Sequence, residues 1–464
     1  MASQFKVAEK RSLLETFREA DESLRLPAIA PPVTYPLETL VPQVRQQTPA
    51  VGQRATRPDG RLHGLGQTRY IDDLAFPGML YAKIKRAGVS SARIKSIDTR
   101  EAEAMPGVMA VLTGREIPVN SFGPSLKDQP VLADTLVFHA GDGVAAVAAL
   151  TEQIALEALD KIKVEYEIMP AVYDPVEAMK DDAHKVHGPN SNIYARKVIR
   201  KGDIEKGFAA SDHIFEGRFS TQMVEHVPLE PHATIAQWDA NGRVTIHSTL
   251  GRITLGRADV ARTLKLPISR IRIVATIVGG NFGGKNEITQ EPVLALLSKK
   301  TGRPVKGTFT RTEEFIATTT RHPIIMDFKT GVTKDGKILA RKVRLVLDGG
   351  AYCSWSETTL GKACILSAGP YNIDNLLAEA FVVYTNKTMT GAMRGFGAPQ
   401  VCFAYESQMD DIAAALNIDP LDIRLLNAFE EGSPSPTGQV LHSVVLKDSL
   451  LQAAQRFGWK EPQQ

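Results

Sequence analysis

Two glycine-rich stretches carry the residue types best suited to holding a ligand. The first is Gly279-Gly-Asn-Phe-Gly-Gly-Lys-Asn286. Glycine takes positive φ and lets a backbone approach a ligand closely. Backbone N–H groups at the start of a following helix favour an anion, so a phosphate- or pyrophosphate-bearing ligand suits this loop. A tight, ligand-free turn suits the spacing equally well. Gly279 to Lys285 also satisfies G-x-x-x-x-G-K, most of a nucleotide-binding P-loop, and Leu345-Val-Leu-Asp348 imitates an apolar strand ending in a magnesium-binding aspartate. Asn286 stands where that loop needs a hydroxyl for Mg²⁺, and the bulk of Phe282 would crowd the phosphates. A P-loop NTPase is therefore a remote alternative.

The second stretch is Gly391-Ala-Met-Arg-Gly-Phe-Gly-Ala-Pro399. Arg394 offers a permanent cation with a planar donor fork. Phe396 lies between Gly395 and Gly397, so no neighbouring side chain shields its ring, and an exposed ring can stack on a flat substrate. A salt-bridged loop arginine and a core phenylalanine are the plain alternative. A third stretch, His226-Val-Pro-Leu-Glu-Pro-His232, holds two histidines and a glutamate. Its prolines forbid a regular helix and its spacing is not H-E-x-x-H, so a structural role outweighs metal ligation. There is no G-x-S-x-G nucleophile elbow.

The elements around these loops follow from periodicity. Ser91 to Asp98 and Val108 to Thr113 read as strands, and Val144 to Tyr166 as strand, helix, strand, with Thr151 as N-cap. Val244 to Ser248 is strand-like. Ala258, Ala261 and Leu264 share a helical face that ends before Pro267. Arg270 to Val278 reads as the strand entering the first loop, and a helix from about Ile288 to Lys299, stopped by Gly302, follows it. A strand at Ile338 to Leu347, an irregular stretch through 349–390 and a helix at about 400–416 come next. Asn417 is the candidate C-terminal stop, and Asp419-Pro420 opens another helix. Upstream, residues 8–24 read as an amphipathic helix, and six prolines between Pro27 and Pro49 read as an extended linker.

With 464 residues, 43% hydrophobic and 23% charged, the chain is ordinary globular material for about two to four domains. A net charge of +3 gives no reason to expect nucleic acid or an anionic membrane, and no apolar run approaches the ~18 residues of a membrane helix. Cys353, Cys364 and Cys402 are far apart, which argues against zinc, an iron–sulfur cluster held by this chain alone, or a disulfide scaffold. The N-terminus lacks a signal-peptide core, so a cytoplasmic protein is expected. The expected domains are an N-terminal helix and Pro-rich extension at 1–60, a small α/β domain at 61–180 and a larger unit at 190–464.

As an ordered set, these elements resemble the molybdenum hydroxylases, the xanthine dehydrogenase and aldehyde oxidase family. Tyr70-Ile-Asp-Asp-Leu74, Gly78-Met-Leu-Tyr81, Ser91-Ala-Arg-Ile94, Pro106-Gly-Val108, His139-Ala-Gly-Asp-Gly143 and Val164-Glu-Tyr-Glu167 look like the family's hammerhead domain. Leu229-Glu-Pro-His232, Val278-Gly-Gly-Asn-Phe-Gly-Gly-Lys285 and Met393-Arg-Gly-Phe-Gly-Ala-Pro-Gln400 look like its E-P-H, GGGFGGK and RGFGxPQ segments. The resemblance covers about residues 60 to 445.

It implies an α+β chain: a small α/β hammerhead domain, then the first part of a molybdopterin-binding α+β domain. It implies molybdenum–molybdopterin as cofactor, in its simple or dinucleotide form, with FAD and [2Fe-2S] on partner subunits. Gly280, Asn281, Phe282, Gly283 and Arg394 would line the cofactor, with Phe282 and Arg394 beside the molybdenum but not as side-chain ligands. Phe396 would hold a planar substrate, and the family's pocket arginine and glutamate fall on Lys362 and Asn286. Two departures stand out. Leu250, in Ser248-Thr-Leu-Gly-Arg252, replaces a glutamine that approaches the metal's oxygen ligand. The family's large subunit continues well past this length and carries there the general-base glutamate, so no catalytic base is expected in this chain. That implies a split subunit whose partner supplies the second half and whose substrate is a heterocycle or aldehyde, or else a non-catalytic scaffold.

Overall fold

The computed structural model describes residues 56–459. The expected helix at 8–24 and the proline-rich linker lie outside the described residues. A short helical turn at Gly60–Gly64 falls in a separate unit, Met1–Thr68, and everything below concerns the unit Arg69–Gln464.

Among the described residues, fifteen strands run β1 (Leu80–Arg86), β2 (Ala92–Asp98), β3 (Val108–Thr113), β4 (Leu136–Val137), β5 (Gly143–Ala149), β6 (Lys163–Ile168), β7 (Ile193–Lys201), β8 (His213–Thr221), β9 (Ala233–Trp238), β10 (Val244–Ser248), β11 (Ile271–Ala275), β12 (Val305–Thr308), β13 (Ile324–Val332), β14 (Ile338–Gly350) and β15 (Asn375–Tyr384). The main helices are α1 (Glu152–Lys161), α2 (Ile253–Thr263), α3 (Glu291–Thr301), α4 (Arg311–Ala317), α5 (Ser356–Leu366), α6 (Ala398–Leu416), α7 (Pro420–Asn427) and α8 (Leu446–Phe457). The chain is α+β, as expected.

A seven-stranded sheet in the order β11-β10-β9-β12-β1-β5-β3 forms the first layer. Strand β5, GVAAVAA, is buried along almost its whole length because both its faces are covered. Ala146 and Ala148 enter one core with Val293, Leu294 and Leu297 of α3. Ala145, Val147 and Ala149 enter the opposite core with Ala155 and Ala158 of α1. Small side chains on a central strand let the two helical layers approach this closely. A three-stranded sheet, β4-β2-β6, lies beside it.

Helix α1 starts as expected: the Thr151 side chain accepts a hydrogen bond from the Ile154 N–H at 3.2 Å. Losing that cap costs about 1 kcal/mol. Thr151→Ala is therefore expected to speed hydrogen exchange in the first turn of α1 by about fivefold while leaving the β5 amides unchanged.

The second layer is a five-stranded sheet, β7-β15-β14-β13-β8. Its inner face carries Ile324, Met326, Phe328, Val343, Leu345, Leu347, Ala378, Ala380 and Val382, covered by α5 and α6. Its outer face is a charged ladder in which Arg218 pairs with Asp327 at 2.6 Å and Lys329 with Glu216 at 2.9 Å. Such alternation marks a face open to water; at one end that face is covered instead, where Ile325, Val346 and Val383 pack with Ala178 and Val176.

Three boundaries differ from expectation. The stretch 349–390 is not irregular: it contains α5 and β15. Helix α5 hides because its buried face is Ser356, Thr359, Leu360, Ala363 and Cys364, small and mixed in polarity, with Gly361 inside. Strand β15 hides because Leu377 and Phe381 on its other face are also apolar. The strand expected at 270–278 ends at Ala275, and the helix expected from 288 begins at Glu291. The glycine-rich loop is thus longer at both ends. Gly302 at φ 64° ends α3, and Asn417 at φ 55° ends α6. Asp419 caps α7 through the N–H groups of Leu421 and Asp422, ahead of Pro420 at the first helical position.

Candidate active site

The first loop is tied down by its own side chains. The Asn281 side-chain oxygen accepts hydrogen bonds from the N–H groups of Gly283 at 2.9 Å and Lys285 at 3.2 Å. Gly280 and Gly283 have φ of 108° and 106°, and Phe282 between them has φ 51°. A bulky residue in the left-handed region stores about 1–3 kcal/mol, and such strain gathers at ligand sites. It leaves Phe282 48% exposed. Lys285, whose side chain is fully buried, donates to the Glu230 carbonyl at 2.7 Å and its carboxylate at 3.1 Å. The same carboxylate accepts from the Gly279 N–H at 2.7 Å, closing the loop's mouth. Burial pulls the Lys285 ammonium below its usual range, against the charge of Glu230.

This geometry removes the P-loop alternative. Lys285 faces inward on a carboxylate and cannot reach a phosphate. Helix α3 starts seven residues beyond Gly284, so its N-terminus is not the cradle that the loop was expected to have.

The second loop repeats the design. Gly395 and Gly397 have φ of 98° and 79°, and Phe396 between them has φ 49°. The two loops meet directly. The Arg394 N–H donates to the Phe282 carbonyl at 2.8 Å. A Cβ at Gly283 would lie 2.3 Å from the Ala392 carbonyl oxygen, so only glycine permits the approach. The same carbonyl lies 2.8 Å from Nε2 of His226, whose ring packs on Gly284. Arg321 holds the Arg394 carbonyl at 2.9 Å. The Arg394 guanidinium itself is exposed, with no hydrogen bond or ion pair among the described residues.

Lys362, on α5, places its ammonium 5.1 Å from the centre of the Phe396 ring, within cation–π range. Its cationic end has no carboxylate partner among the described residues. Asn286 is half-buried and makes no side-chain hydrogen bond to them. Thus Gly280, Asn281, Phe282, Gly283 and Arg394 come together on one face, and Lys362 and Phe396 come together beside them through the second loop. Asn286 makes no direct bond to either group.

The histidine stretch is structural, as expected. His232 Nδ1 lies 2.9 Å from Glu314 of α4, whose carboxylate also takes the His232 N–H at 2.6 Å. Burial works to raise the Glu314 carboxyl, but its bonds to His232 outweigh burial and hold it low. Among the described residues no group of three His, Cys, Asp or Glu could hold a metal. Leu250 points into the core, where its side chain fills the space above Gly256, while its N–H bonds the Ser248 hydroxyl at 3.0 Å.

Sequence reasoning misses three residues here. It gives His226 a structural role without a partner, whereas this side chain fixes the second loop. Glu287 and Ser354 are hydrogen-bonded to each other, 67 positions apart, with no pattern to connect them. The pairing of Lys285 with Glu230 is equally invisible.

The residues present fit a pterin-bound metal. Two strained glycine loops, packed too closely together for any Cβ at Gly283, make one backbone-rich face. An exposed ring and an unpaired guanidinium stand on that face, a donor set for an anionic, planar group. Two concavities of about 500 Å³ each lie elsewhere, on the charged outer sheet face and between α7 and α8. Neither has convergent loops, so chemistry rather than size selects the site.

Comparison with known proteins agrees with this reading. Residues 65–170 match the aldehyde oxidase and xanthine dehydrogenase a/b hammerhead domain, and residues 184–428 match the molybdopterin cofactor-binding domain. The chain is 38% identical over 408 residues to the nicotinate dehydrogenase large molybdopterin subunit of Eubacterium barkeri, covering 88% of this chain and 96% of that one. It is 33% identical over 416 residues to the xanthine dehydrogenase molybdenum-binding subunit of Escherichia coli O157:H7, covering 85% of this chain and 54% of that one. The solved aldehyde oxidoreductase from Desulfovibrio gigas superposes with a TM-score of 0.85 at 32% identity, covering 91% of this chain and 49% of that one. The chain thus spans nearly all of the first of these relatives and about half of the other two. With hammerhead and cofactor-binding domains in order and two glycine loops joined across one face, the chain belongs to the xanthine dehydrogenase and aldehyde oxidase family of molybdenum hydroxylases, as a molybdopterin-binding member.

Proposed function

We propose that this chain is the first half of a split molybdopterin subunit that hydroxylates a planar, anionic heterocycle, working with a second chain that closes the pocket. The observation that carries it is the hydrogen bond between the Arg394 N–H and the Phe282 carbonyl, which makes one ligand face from two loops. The length match to the nicotinate dehydrogenase subunit supports the split. So does the apolar surface beside Phe282: Val227 and Leu229 are 47% and 91% exposed, with Pro228 packed against Gly280. Exposed apolar residues next to a ligand face mark a protein contact.

The cofactor, when bound, supplies the two-electron chemistry that places a water-derived oxygen on an electron-poor carbon. This chain's residues do the holding. Gly280, Asn281 and Gly283 give the backbone a close approach, Phe282 excludes water beside the metal, and Arg394 holds negative charge. Phe396 takes one face of the substrate ring. Lys362 recognises an anionic group on it, and Asn286, being neutral, does not repel that group. Nicotinate, named for the Eubacterium relative, has this chemistry: an aromatic nitrogen heterocycle carrying a carboxylate. The general base, the second set of pterin contacts, and FAD and [2Fe-2S] groups that carry electrons away belong to partner subunits.

Lys362→Met keeps the stem and removes the charge. It is expected to raise KM for a heteroaromatic carboxylate by about 10- to 100-fold, the loss of roughly 1.4–3 kcal/mol of charge-assisted binding, while leaving a neutral heterocycle within about threefold. Equal losses on both would reject the anionic substrate.

The test of the function as a whole is purification of the chain with its co-expressed neighbours, followed by molybdenum and pterin analysis and assay on heterocycle carboxylates, neutral heterocycles and aldehydes. Near-stoichiometric molybdenum with turnover of the carboxylates is the expected result. An intact complex without metal or pterin would instead identify a non-catalytic scaffold.

A further inference from the structure

The turn that leads into α5 is anchored at three successive places. The Cys353 N–H donates to Asp128 at 2.8 Å, the Ser354 hydroxyl donates to Glu287, and the Ser356 hydroxyl lies 2.7 Å from His322 Nε2. Ser354 needs such anchoring, since its φ of 46° is strained for a residue with a side chain. Its hydroxyl also fills the space that a Cβ of Gly391 would need, 2.8 Å from that position, so the turn lies close to the start of the second loop. Trp355 follows, with the Arg252 guanidinium 4.3 Å from its ring centre. Two turns further along α5 stands Lys362.

Glu287, which continues the first loop past Asn286, is thus bonded to the turn that positions α5. Although the residue is only half-buried, its carboxyl oxygen Oε2 is sealed from solvent with no partner. We propose that Glu287 and Ser354 form a proton-dependent latch that sets the position of Trp355 and of Lys362 above Phe396. Both are positioning residues, not catalytic ones. The proposal rests on the reading of Lys362 and Phe396 as the substrate wall.

The physical basis is linkage. A buried carboxylate with one hydrogen bond is costly, whereas the neutral acid is tolerated. Burial pushes the Glu287 carboxyl up to about 7, against the Ser354 hydrogen bond, which favours the ionised form. Asp128 and Asp259 of α2 add to the rise, and Lys127, which also pairs with Asp259 at 2.9 Å, opposes it. The Cys353 thiol and Glu357 lie on the same turn, and burial keeps that thiol protonated by pushing it up to about 12. The closed latch therefore binds the proton more tightly than an open, hydrated one. Protonation favours closure, and closure weakens as pH rises through about 7.

The experiment is a pH titration of the Trp355 emission, taken as wild type minus Trp355→Phe, in the assembled complex from about pH 5 to about pH 9. The expected result is one transition with a midpoint near 7, absent in Glu287→Gln and moved to higher pH in Ser354→Ala. KM for the substrate should rise severalfold across the same window in wild type and stay flat in Glu287→Gln. A wild-type emission without a transition, or a transition that survives Glu287→Gln with an unchanged midpoint, overturns the latch. If Glu287→Gln does not fold, the Ser354→Ala midpoint decides: an unchanged value overturns the proposal. The emission needs no substrate. A clear transition in a complex that turns over no heterocycle would uphold the latch and reject the function reading alone.

Discussion

Gly283→Ala is expected to empty the site. At φ 106° a Cβ is strained before it touches anything, and here it would meet the Ala392 carbonyl at 2.3 Å, where no flexible side chain can move aside. The loops must part. Parting breaks the bond between the Arg394 N–H and the Phe282 carbonyl and the contact of His226 with Ala392. Overpacking of this kind costs about 1–3 kcal/mol of fold stability, and the left-handed strain adds about 1 more. The larger effect is on the ligand face, which exists only while the loops stay joined. Molybdenum content of the purified complex should fall at least about tenfold, the equivalent of only 1.4 kcal/mol. Gly432→Ala serves as a control, because that glycine also has positive φ but nothing lies within 4 Å of its Cβ position. It should keep its metal.

The second large effect is on stability. Lys285 and Glu230 form a buried pair, and the Glu230 carboxylate also holds the Gly279 N–H. Removing the cation by Lys285→Met leaves a buried carboxylate with one remaining donor. Breaking such a pair from one side costs about 3–5 kcal/mol, while replacing both partners with apolar residues is close to neutral. Lys285→Met should therefore lower the denaturation midpoint strongly, and Lys285→Met with Glu230→Leu should recover about half or more of the loss. The double variant still lacks the Gly279 contact, so metal content should not return with stability. A P-loop lysine would behave differently: its loss would abolish nucleotide binding and leave the fold intact.

Much of this site is legible in the residues themselves, and the reason is chemical. Glycines close to a phenylalanine, twice, mark loops built for close approach, although the positive φ of Phe282 and Phe396 themselves is visible only in the fold. Arg394 reads as a permanent cation, salt-bridged or offered to a ligand, and the fold leaves it exposed. Terminal signals are equally readable: Thr151, Asp419 and Asn417 each do what their side chains do best, and the fold places them at helix ends. What escapes is partnership across long separations. Nothing near Lys285 says that its ammonium will find Glu230 instead of an anion, and nothing near Glu287 points to Ser354. Periodicity fails where both faces of an element are buried. Strand β15 alternates correctly, but Leu377 and Phe381 on the second face erase the contrast, and α5 presents small residues where large ones would have marked a core face. Leu250 reads in the sequence as a change at the metal, yet its side chain serves the packing of α2 against the sheet.

The proposed split subunit divides the pocket along the same lines. This chain brings loops, rings and cations, and among its described residues nothing near Phe282 and Arg394 provides an exposed carboxylate to act as base. Glu230 is locked to Lys285, Glu314 to His232, and Glu287 to Ser354. A second chain bringing that carboxylate would also cover Val227, Leu229 and Phe282, so catalysis and burial of the apolar rim are expected to arrive together.

The most direct measurement is an experimental structure of the complex purified with its cofactor. The expected density shows a pterin-bound metal against the face where Phe282 and Arg394 meet, with both side chains on the metal's side and a second polypeptide closing over Leu229. A cofactor seated elsewhere on the chain, or bound with the Phe282 and Arg394 loops drawn apart, would contradict the central claim.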